Sequence, residues 1–593
     1  MLKQDSQSQC ATAYSHFNAG RVAEARMAFN LVLAADPRNV AAIEGLALIG
    51  MSQGDLPAAR DMFERALQVT PDSIDTRLNL ADLLLRLGEF SQARAHAEQV
   101  ISGKPNHLAT HYLLGQIDWA RGAFDEAFAS YERANMDLIP DLLATLEYRC
   151  HQRLGDADWR GYDAQVAFFK ARLRAGRQVW QPTFQLLSSS SPRDIARAMR
   201  IYAARQHPAR PPMWKGERWS HDRIRIGILT AELYDHPVGN LLAGVLAQID
   251  RTAFKLVGFS YGPHIVDKTR ERLIPLFDEC LDVRLLDDAS IAGAIRGREI
   301  DIAVTLNGYT LNARADILAY RPAPVQVSYM GFPSTMGVSY IDYLIADRHV
   351  IPKRDQEHYD EKIVWMPDSY QATDDRADIA ERTPTRAEEG LPDDAFVFMA
   401  YNHANKVTPA MFDIWMRILG QVEGSVLWLP VGEAATSGNL RGQAAARGID
   451  PDRLVFAARN RDRPDHIARH RLADLFLDSL PYNAHSTASD ALWAGLPVLT
   501  CRGATFPGRV CAGLLTVAGM ADMITENLQD YERTAVALAC NADRLAAIRR
   551  RVAEDVRKTP LFDTQRYVRN LEAAFRAMHE ASQAGRPPRS FEV

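Results

Sequence analysis

Long apolar runs are missing from this sequence, and so is any excess of basic charge. No uninterrupted apolar stretch approaches the roughly 18 residues that suggest a membrane span, so no membrane partner is expected. With 69 Lys and Arg against 74 Asp and Glu, the formal net charge of −5 disfavours nucleic acid as the main partner. Cysteine is scarce. Cys10, Cys150, Cys280, Cys501, Cys511 and Cys540 are scattered without C-x-x-C or paired spacing, which reads as reduced thiols of a cytoplasmic protein. The opening MLKQDSQSQCATAYSH lacks the basic-then-apolar pattern of a signal peptide, in keeping with that location. G-x-G-x-x-G, Walker A and H-E-x-x-H sequences do not occur, so a dinucleotide oxidoreductase, a P-loop ATPase and metal-dependent chemistry are poorly supported. D-x-D occurs at Asp156–Asp158, outside the α/β region, and reads as a solvated turn.

What is present begins with a repeat. Gly20, Gly54, Gly88 and Gly122 lie 34 residues apart, as do Ala25, Ala59, Ala93 and Ala127, and as do Pro37, Pro71 and Pro105. The position four beyond each alanine (Phe29, Phe63, Ala97, Tyr131) keeps the same step. The glycines suit the turn that ends a first helix, the alanines let paired helices approach, and the prolines end the second helix. Segments such as IDTRLNLADLLLRLGEF have helical apolar spacing. The period of 34 resembles the tetratricopeptide repeat, here four units over residues 6–140. Such an array forms a groove for a protein or peptide partner. Residues 141–220 read as a helical connector that closes with the Pro- and Arg-rich linker 205–219.

From Arg223 the texture changes to short β-branched runs alternating with helical stretches. RIRIGILT (223–230), FKLVGFSYG (254–262), DIAVTLNG (301–308), VQVSYMGF (325–332) and YLIADRHVI (343–351) form one series. FVFMAYN (396–402), SVLWLPVG (425–432), RLVFAARN (453–460), LADLFLDS (472–479) and PVLTCRG (497–503) form a second, beyond a charged segment near 352–391. Two parallel-sheet, Rossmann-like halves are expected, 222–390 and 391–580, with a ligand in the cleft beyond their strand ends.

Within PYNAHSTASDALWAG (481–495), a helix opening at His485-Ser486-Thr487 either caps itself or offers its free N–H groups to a diphosphate, with Asp490 one turn on as a hold for ribose hydroxyls. Lys406 in YNHANKVTP falls in a loop at a strand end, where its charge can meet a leaving diphosphate, although a lone lysine also suits solvent. His466 can stack on a nucleobase, with Arg463 or Arg469 near the nucleoside, or lie on a helix surface. His236 in AELYDHPVGN follows the first strand and faces the same cleft, to orient an acceptor or take its proton, unless DHPVGN is a simple turn. LNGYTLNAR (306–314) and QVSYMGFPSTMG (326–337) supply a sugar or acceptor loop, with Asn307, Gly308, Gly331, Pro333 and Thr335 as its candidates.

The order DHPVGN, NGYT with RPAPVQV, GFPSTMG, YNHANK, LDSLPYNAHSTASDALWAGLPVL and TFPGRV, after tetratricopeptide repeats, resembles the bacterial members of the O-linked N-acetylglucosamine transferase family, the group that includes the plant Spindly proteins. That resemblance implies an α/β GT-B glycosyltransferase fold preceded by an all-α repeat superhelix. It implies inverting transfer from UDP-GlcNAc to Ser or Thr of proteins, without a metal or other cofactor. Lys406 then contacts the diphosphate, His485, Ser486 and Thr487 form the pyrophosphate-binding helix start, Asp490 holds the ribose, and His466 stacks on uracil. Arg463 stands where animal members carry a lysine near the nucleoside. His236 resembles the cleft histidine. Two departures bear on the donor: His403 replaces a glutamine three residues before the lysine, and the P-G-T-S-G loop reads Pro333-Ser334-Thr335-Met336-Gly337. Fucose from GDP-fucose or glucose from UDP-glucose is therefore an alternative donor, and a repeat adaptor with a degenerate transferase region is the rival from another class. The oligomeric state stays open.

Overall fold

The computed structural model describes residues 2–139, 141–177, 182–189, 191–430, 432–457 and 462–593. Packing divides the chain into two units: the chain up to Thr145 with Arg160–Phe169, and Leu146–Trp159 with Lys170–Val593.

The first unit is helical. Helices Leu2–Asn18 and Val22–Ala35, Val40–Ser52 and Leu56–Val69, Ile74–Arg86 and Phe90–Gly103, and Leu108–Ala120 and Phe124–Arg133 form four hairpins in the expected register. Gly20, Gly54, Gly88 and Gly122 all sit at positive φ, between 76° and 82°, so each turn uses a left-handed residue that a side chain would strain. The four column alanines are buried, and Phe29 fills the space over Gly45, where an added Cβ would stand 2.3 Å from the ring. Large and small residues thus interlock between successive hairpins.

The second unit contains two parallel sheets. The first is built from β1 (Ile224–Thr230), β2 (Phe254–Ser260), β3 (Glu279–Asp282), β4 (Ile302–Thr305), β5 (Val325–Ser328), β6 (Tyr343–Asp347) and β7 (Lys362–Met366). The second has β8 (Val397–Met399), β9 (Val426–Leu429), β10 (Leu454–Phe456), β11 (Leu475–Leu477), β12 (Val498–Cys501) and β13 (Ile524–Thr525). A last strand, β14 (Phe591–Glu592), returns to pair with β7. Strand order is β14-β7-β6-β5-β4-β1-β2-β3 in one sheet and β10-β9-β8-β11-β12-β13 in the other, all pairs parallel. Both orders reverse direction once, between β1 and β4 and between β8 and β11, and a ligand crevice opens at such a switch point. Helices on the sheet faces explain why these strands read as near-continuous apolar runs rather than alternating ones.

Three sequence expectations are corrected. The charged segment 352–391 contains β7, whose core IVWM is buried although charge surrounds it. The second half does not own everything from 391 to 580: helix Thr564–Gln583 packs Tyr567, Val568, Leu571, Ala574, Phe575 and Met578 into the core of the first sheet. The helical connector 141–220 is not one piece, because residues up to Thr145 and Arg160–Phe169 belong to the first unit and Leu146–Trp159 and the chain from Lys170 to the second. The expected strand 453–460 is β10 up to Phe456, and residues 458–460 lie outside the described residues, as does Val431 within 425–432.

The chain crosses between the halves twice, and the crossings are bonded to each other. Thr373 Oγ1 donates to Leu561 O at 2.6 Å, Thr564 Oγ1 donates to Thr373 O at 2.9 Å, and Asp375 N–H donates to Thr564 Oγ1 at 3.0 Å.

Candidate active site

The second switch point is organised by a buried acid. Asp478 follows β11 and accepts from Ser479 N at 2.7 Å, Ala484 N at 2.6 Å, Thr500 Oγ1 at 2.6 Å and Asn402 Nδ2 at 3.3 Å. These bonds fold the loop 479–485 and tie it to the loop after β8. Thr408 caps helix Pro409–Gln421 and so ends the lysine loop at a fixed place. Lys406 is half-buried there, its Nζ donating to Asn483 O at 3.2 Å and standing 4.2 Å from the Tyr482 ring centroid. Burial pushes the Lys406 ammonium down to about 8, against the pull of Asp478.

Helix Ser486–Ala494 starts beside it. The His485 carbonyl takes Ala488 N–H and Ser489 N–H, whereas the N–H groups of Ser486 and Thr487 find no partner among the described residues. His485 does not cap: its Nε2–H donates to Pro507 O at 3.1 Å and its ring stacks on Tyr482. Burial and the neighbouring Lys406 hold its pKa well below the ordinary histidine value, so this ring is neutral. A helix end with two open N–H groups, two hydroxyls and an adjacent ammonium carries the groups that an anion site needs.

On the first half, His236 caps helix Pro237–Gln248, Nδ1 accepting from Val238 N–H at 3.3 Å. Burial lowers its pKa, and in the neutral ring this bond leaves the proton on Nε2, so His236 is a donor toward its surroundings. The loop before it is held by Asn307, which accepts from Ala231 N at 2.9 Å and Tyr261 Oη at 3.0 Å and donates to Glu232 Oε1 at 2.7 Å and Thr310 Oγ1 at 3.0 Å. Burial raises the Glu232 carboxyl to about 7.

A cavity of ≈ 560 Å³ brings His403, Lys406, Ser486 and Thr487 together with Pro237, the residue next to His236. Its apolar walls include Tyr401, Leu429 and Phe456. The volume lies in the range of small-molecule sites.

Other candidates fall elsewhere. Asp490 is paired with Arg463 through two bonds, Nη2–Oδ1 at 2.6 Å and Nη1–Oδ2 at 3.2 Å, against a void of only ≈ 20 Å³. His466 stacks with Tyr401 at 6.0 Å between centroids and is held below the ordinary histidine pKa by burial. At four positions of the expected sugar loop the structure shows contacts within the protein. Asn307 is buried with its amide fully bonded inside the protein. Thr335 Oγ1 donates to the buried Glu361 at 2.7 Å. Gly331 approaches the backbone, where an added Cβ would stand 1.9 Å from Leu306 O, and Gly308, at φ 53°, approaches Phe332. Their close contacts are with neighbouring loops of the protein. Pro333 meets Phe506 and Pro507 across a ≈ 10 Å³ void. Asp478, Glu232 and Glu361 were not singled out from sequence. All three lie at or beside strand ends, and the only signal was a carboxylate next to an apolar run.

Among the described residues no group of three or more His, Cys, Asp or Glu side chains is placed to hold a metal ion, and no helix is long and apolar enough to cross a membrane. Residues 209–382 and 371–571 match the model of glycosyl transferase family 41, and 10–74, 50–100 and 78–140 match tetratricopeptide repeats. The chain is 35% identical over 393 residues to the probable UDP-N-acetylglucosamine–peptide N-acetylglucosaminyltransferase SEC of Arabidopsis thaliana, covering 65% of this chain and 40% of that one. It is 26% identical over 493 residues to the UDP-N-acetylglucosamine–peptide N-acetylglucosaminyltransferase of Caenorhabditis elegans, covering 63% and 43%. The chain thus spans about two fifths of the length of these curated relatives. A solved lysine-to-methionine mutant of Thermobaculum terrenum O-GlcNAc transferase superposes with a TM-score of 0.60 at 24% identity, over 99% of both chains, and shares the fold.

Proposed function

The chain belongs to glycosyl transferase family 41, and from that premise we propose that it transfers N-acetylglucosamine from UDP-GlcNAc to Ser or Thr hydroxyls of a protein acceptor. The observation that carries this reading is the single cavity in which Lys406, Ser486 and Thr487 meet the start of the His236 helix. A diphosphate at the open N–H groups of Ser486 and Thr487 lies beside the Lys406 ammonium, which offsets the charge that develops as the C1–O bond to the diphosphate breaks. The acceptor oxygen forms its bond to C1 on the opposite face as the C1–O bond to the diphosphate breaks, so the anomeric configuration inverts, and the hydroxyl proton passes to the departing diphosphate. His236, with its proton on Nε2, orients the acceptor or donor by hydrogen bonding rather than taking the hydroxyl proton. Lys406 and the helix end supply the positive charge that a divalent cation would otherwise bring, which supports metal-independent transfer.

The repeats support a protein or peptide acceptor. The altered loop Ser334-Thr335-Met336 is buried, so its departures bear less on the donor than their place in the motif suggests. The test is transfer of labelled sugar to lysate proteins from UDP-GlcNAc, UDP-glucose and GDP-fucose, each with EDTA. Labelling from UDP-GlcNAc that survives EDTA is expected. Labelling from GDP-fucose or UDP-glucose alone overturns the donor, strict need for added Mn²⁺ or Mg²⁺ overturns the metal-free step, and no labelling from any donor favours an adaptor.

A further inference from the structure

The charge of Lys406 is answered from another loop. Its ammonium donates to Asn483 O at 3.2 Å, and the carboxylate whose pull opposes burial there is Asp478, only 1% exposed. A short chain of bonds joins the two. Asn483 Nδ2 donates to Ser479 O at 2.9 Å, and Ser479 N donates to Asp478 Oδ1 at 2.7 Å. From the lysine's side, Asn402 Nδ2 donates to the same Oδ1 at 3.3 Å and to Ser479 Oγ at 2.8 Å. Asn402 is itself buried and lines the cavity with Lys406, Ser486 and Thr487.

The donors around Asp478 favour its ionised form. Oδ1 takes three of them, two being backbone N–H groups, and Oδ2 takes Thr500 Oγ1 at 2.6 Å. The other titratable groups facing the pair stay neutral near pH 7. Cys511 bonds to the carboxylate from helix Val510–Val517, and burial holds its thiol well above the ordinary value. Burial pushes Cys501 on β12 up to about 11 and raises Tyr482 of the 479–485 loop. Tyr531, on helix Leu528–Ala539, donates to Asp478 O at 2.8 Å, and burial raises its phenol as well. His485 is the neutral ring already described, and His403 of the lysine loop acts on His151. Lys406 is thus the group of this cluster whose charge changes near pH 8.

We infer that Asp478 is a positioning residue of the transfer, its buried charge keeping Lys406 an ammonium and its bonds holding that ammonium beside the helix start at Ser486. The inference rests on the role proposed above for Lys406. Asp478 has no need to touch the donor, because it acts through the lysine.

Asp478→Asn separates charge from fold. The amide keeps an oxygen for Ser479 N, Ala484 N and Asn402 Nδ2. The Thr500 hydroxyl, 3.5 Å from Cys501 O, can turn to that carbonyl and accept from the new N–H. In the full chain this variant is expected to keep near wild-type turnover at pH 6, while the alkaline fall moves down by about one pH unit. At pH 8 that leaves roughly a fifth of the wild-type rate. An alkaline limb that does not move, or equal loss at every pH, overturns the inference. Wild-type turnover in Lys406→Ala instead overturns the role of the lysine, and the inference with it. Should Asp478→Asn fail to fold, Lys406→Met reads the same pair without turnover. It leaves Asp478 with no counter-charge, so its thermal midpoint is expected to fall further below the wild type as pH rises from 5 to 7.5. A constant gap over that range overturns the inference.

Discussion

Lys406 shows how one side chain can be tuned by its seat. Its ammonium is kept charged up to about pH 8 and no further, because burial disfavours the charge while Asp478 favours it. Since the folded pKa lies below the unfolded one, the charged form, to which the proposed mechanism assigns stabilisation of the departing diphosphate, is present below about pH 8 and is lost as pH rises through it. The turnover rate, measured between pH 6 and 9.5, is expected to be level at the acid end of this lysine's titration and to fall on the alkaline side. Lys406→Ala removes that charge and is expected to lower kcat by about 10²–10³-fold, the usual cost of losing one such stabilising group, with the circular dichroism spectrum unchanged. A variant with wild-type turnover would take Lys406 out of the chemistry. Asn307 teaches the opposite lesson at the same scale. Its type and its loop suggest a ligand contact, yet each of its polar atoms is used inside the protein, which no single-residue reading could reveal.

Among the elements, the loops at strand ends are what the chemistry needs held still, and several are held by a buried carboxylate. Asp478 fastens the loop after β11, Glu361 fastens Thr335 and Met336, and Glu232 anchors the loop before His236 through Asn307. The repeat hairpins and most strands were legible because each leaves a periodic or β-branched trace. β3 with its sequence ECLD and the two-residue β13 and β14 leave none, since neighbours rather than propensity make them strands, and the β-branched run of β7 was hidden by the charge around it. The helix start at Ser486 was legible from HST after a strand. The Arg463–Asp490 pair was not, because partners 27 residues apart carry no spacing signal. Gly331 offers a test between loop packing and sugar contact. Gly331→Ala places a Cβ against Leu306 O and is expected to cost about 1–3 kcal/mol by urea denaturation. UDP affinity in the folded fraction should stay as in the wild type, and a loss of affinity without loss of stability would return Gly331 to the sugar site.

Across the second unit, the sequence order of the halves and their spatial order differ. Helix Thr564–Gln583 follows the last strand of the second sheet yet completes the core of the first, with Phe575 only 2% exposed. Phe575→Ala is therefore expected to destabilise the first half by about 3–5 kcal/mol, read as a lower urea midpoint for the tryptophan signal of Trp365. Equal stability would mean that this helix is an appendage rather than a core element.

The paired crossings near Thr373 and Thr564 set how the crevice can change its width. Two polypeptide spans side by side, stitched together by three hydrogen bonds, behave like the spine of a book. The two sheets can swing as covers about that line, widening or narrowing the gap between Pro237 and Thr487. Sliding along the line or twisting across it would tear the stitching. On the proposed function, entry of a donor and exit of a diphosphate would call for a swing of that kind.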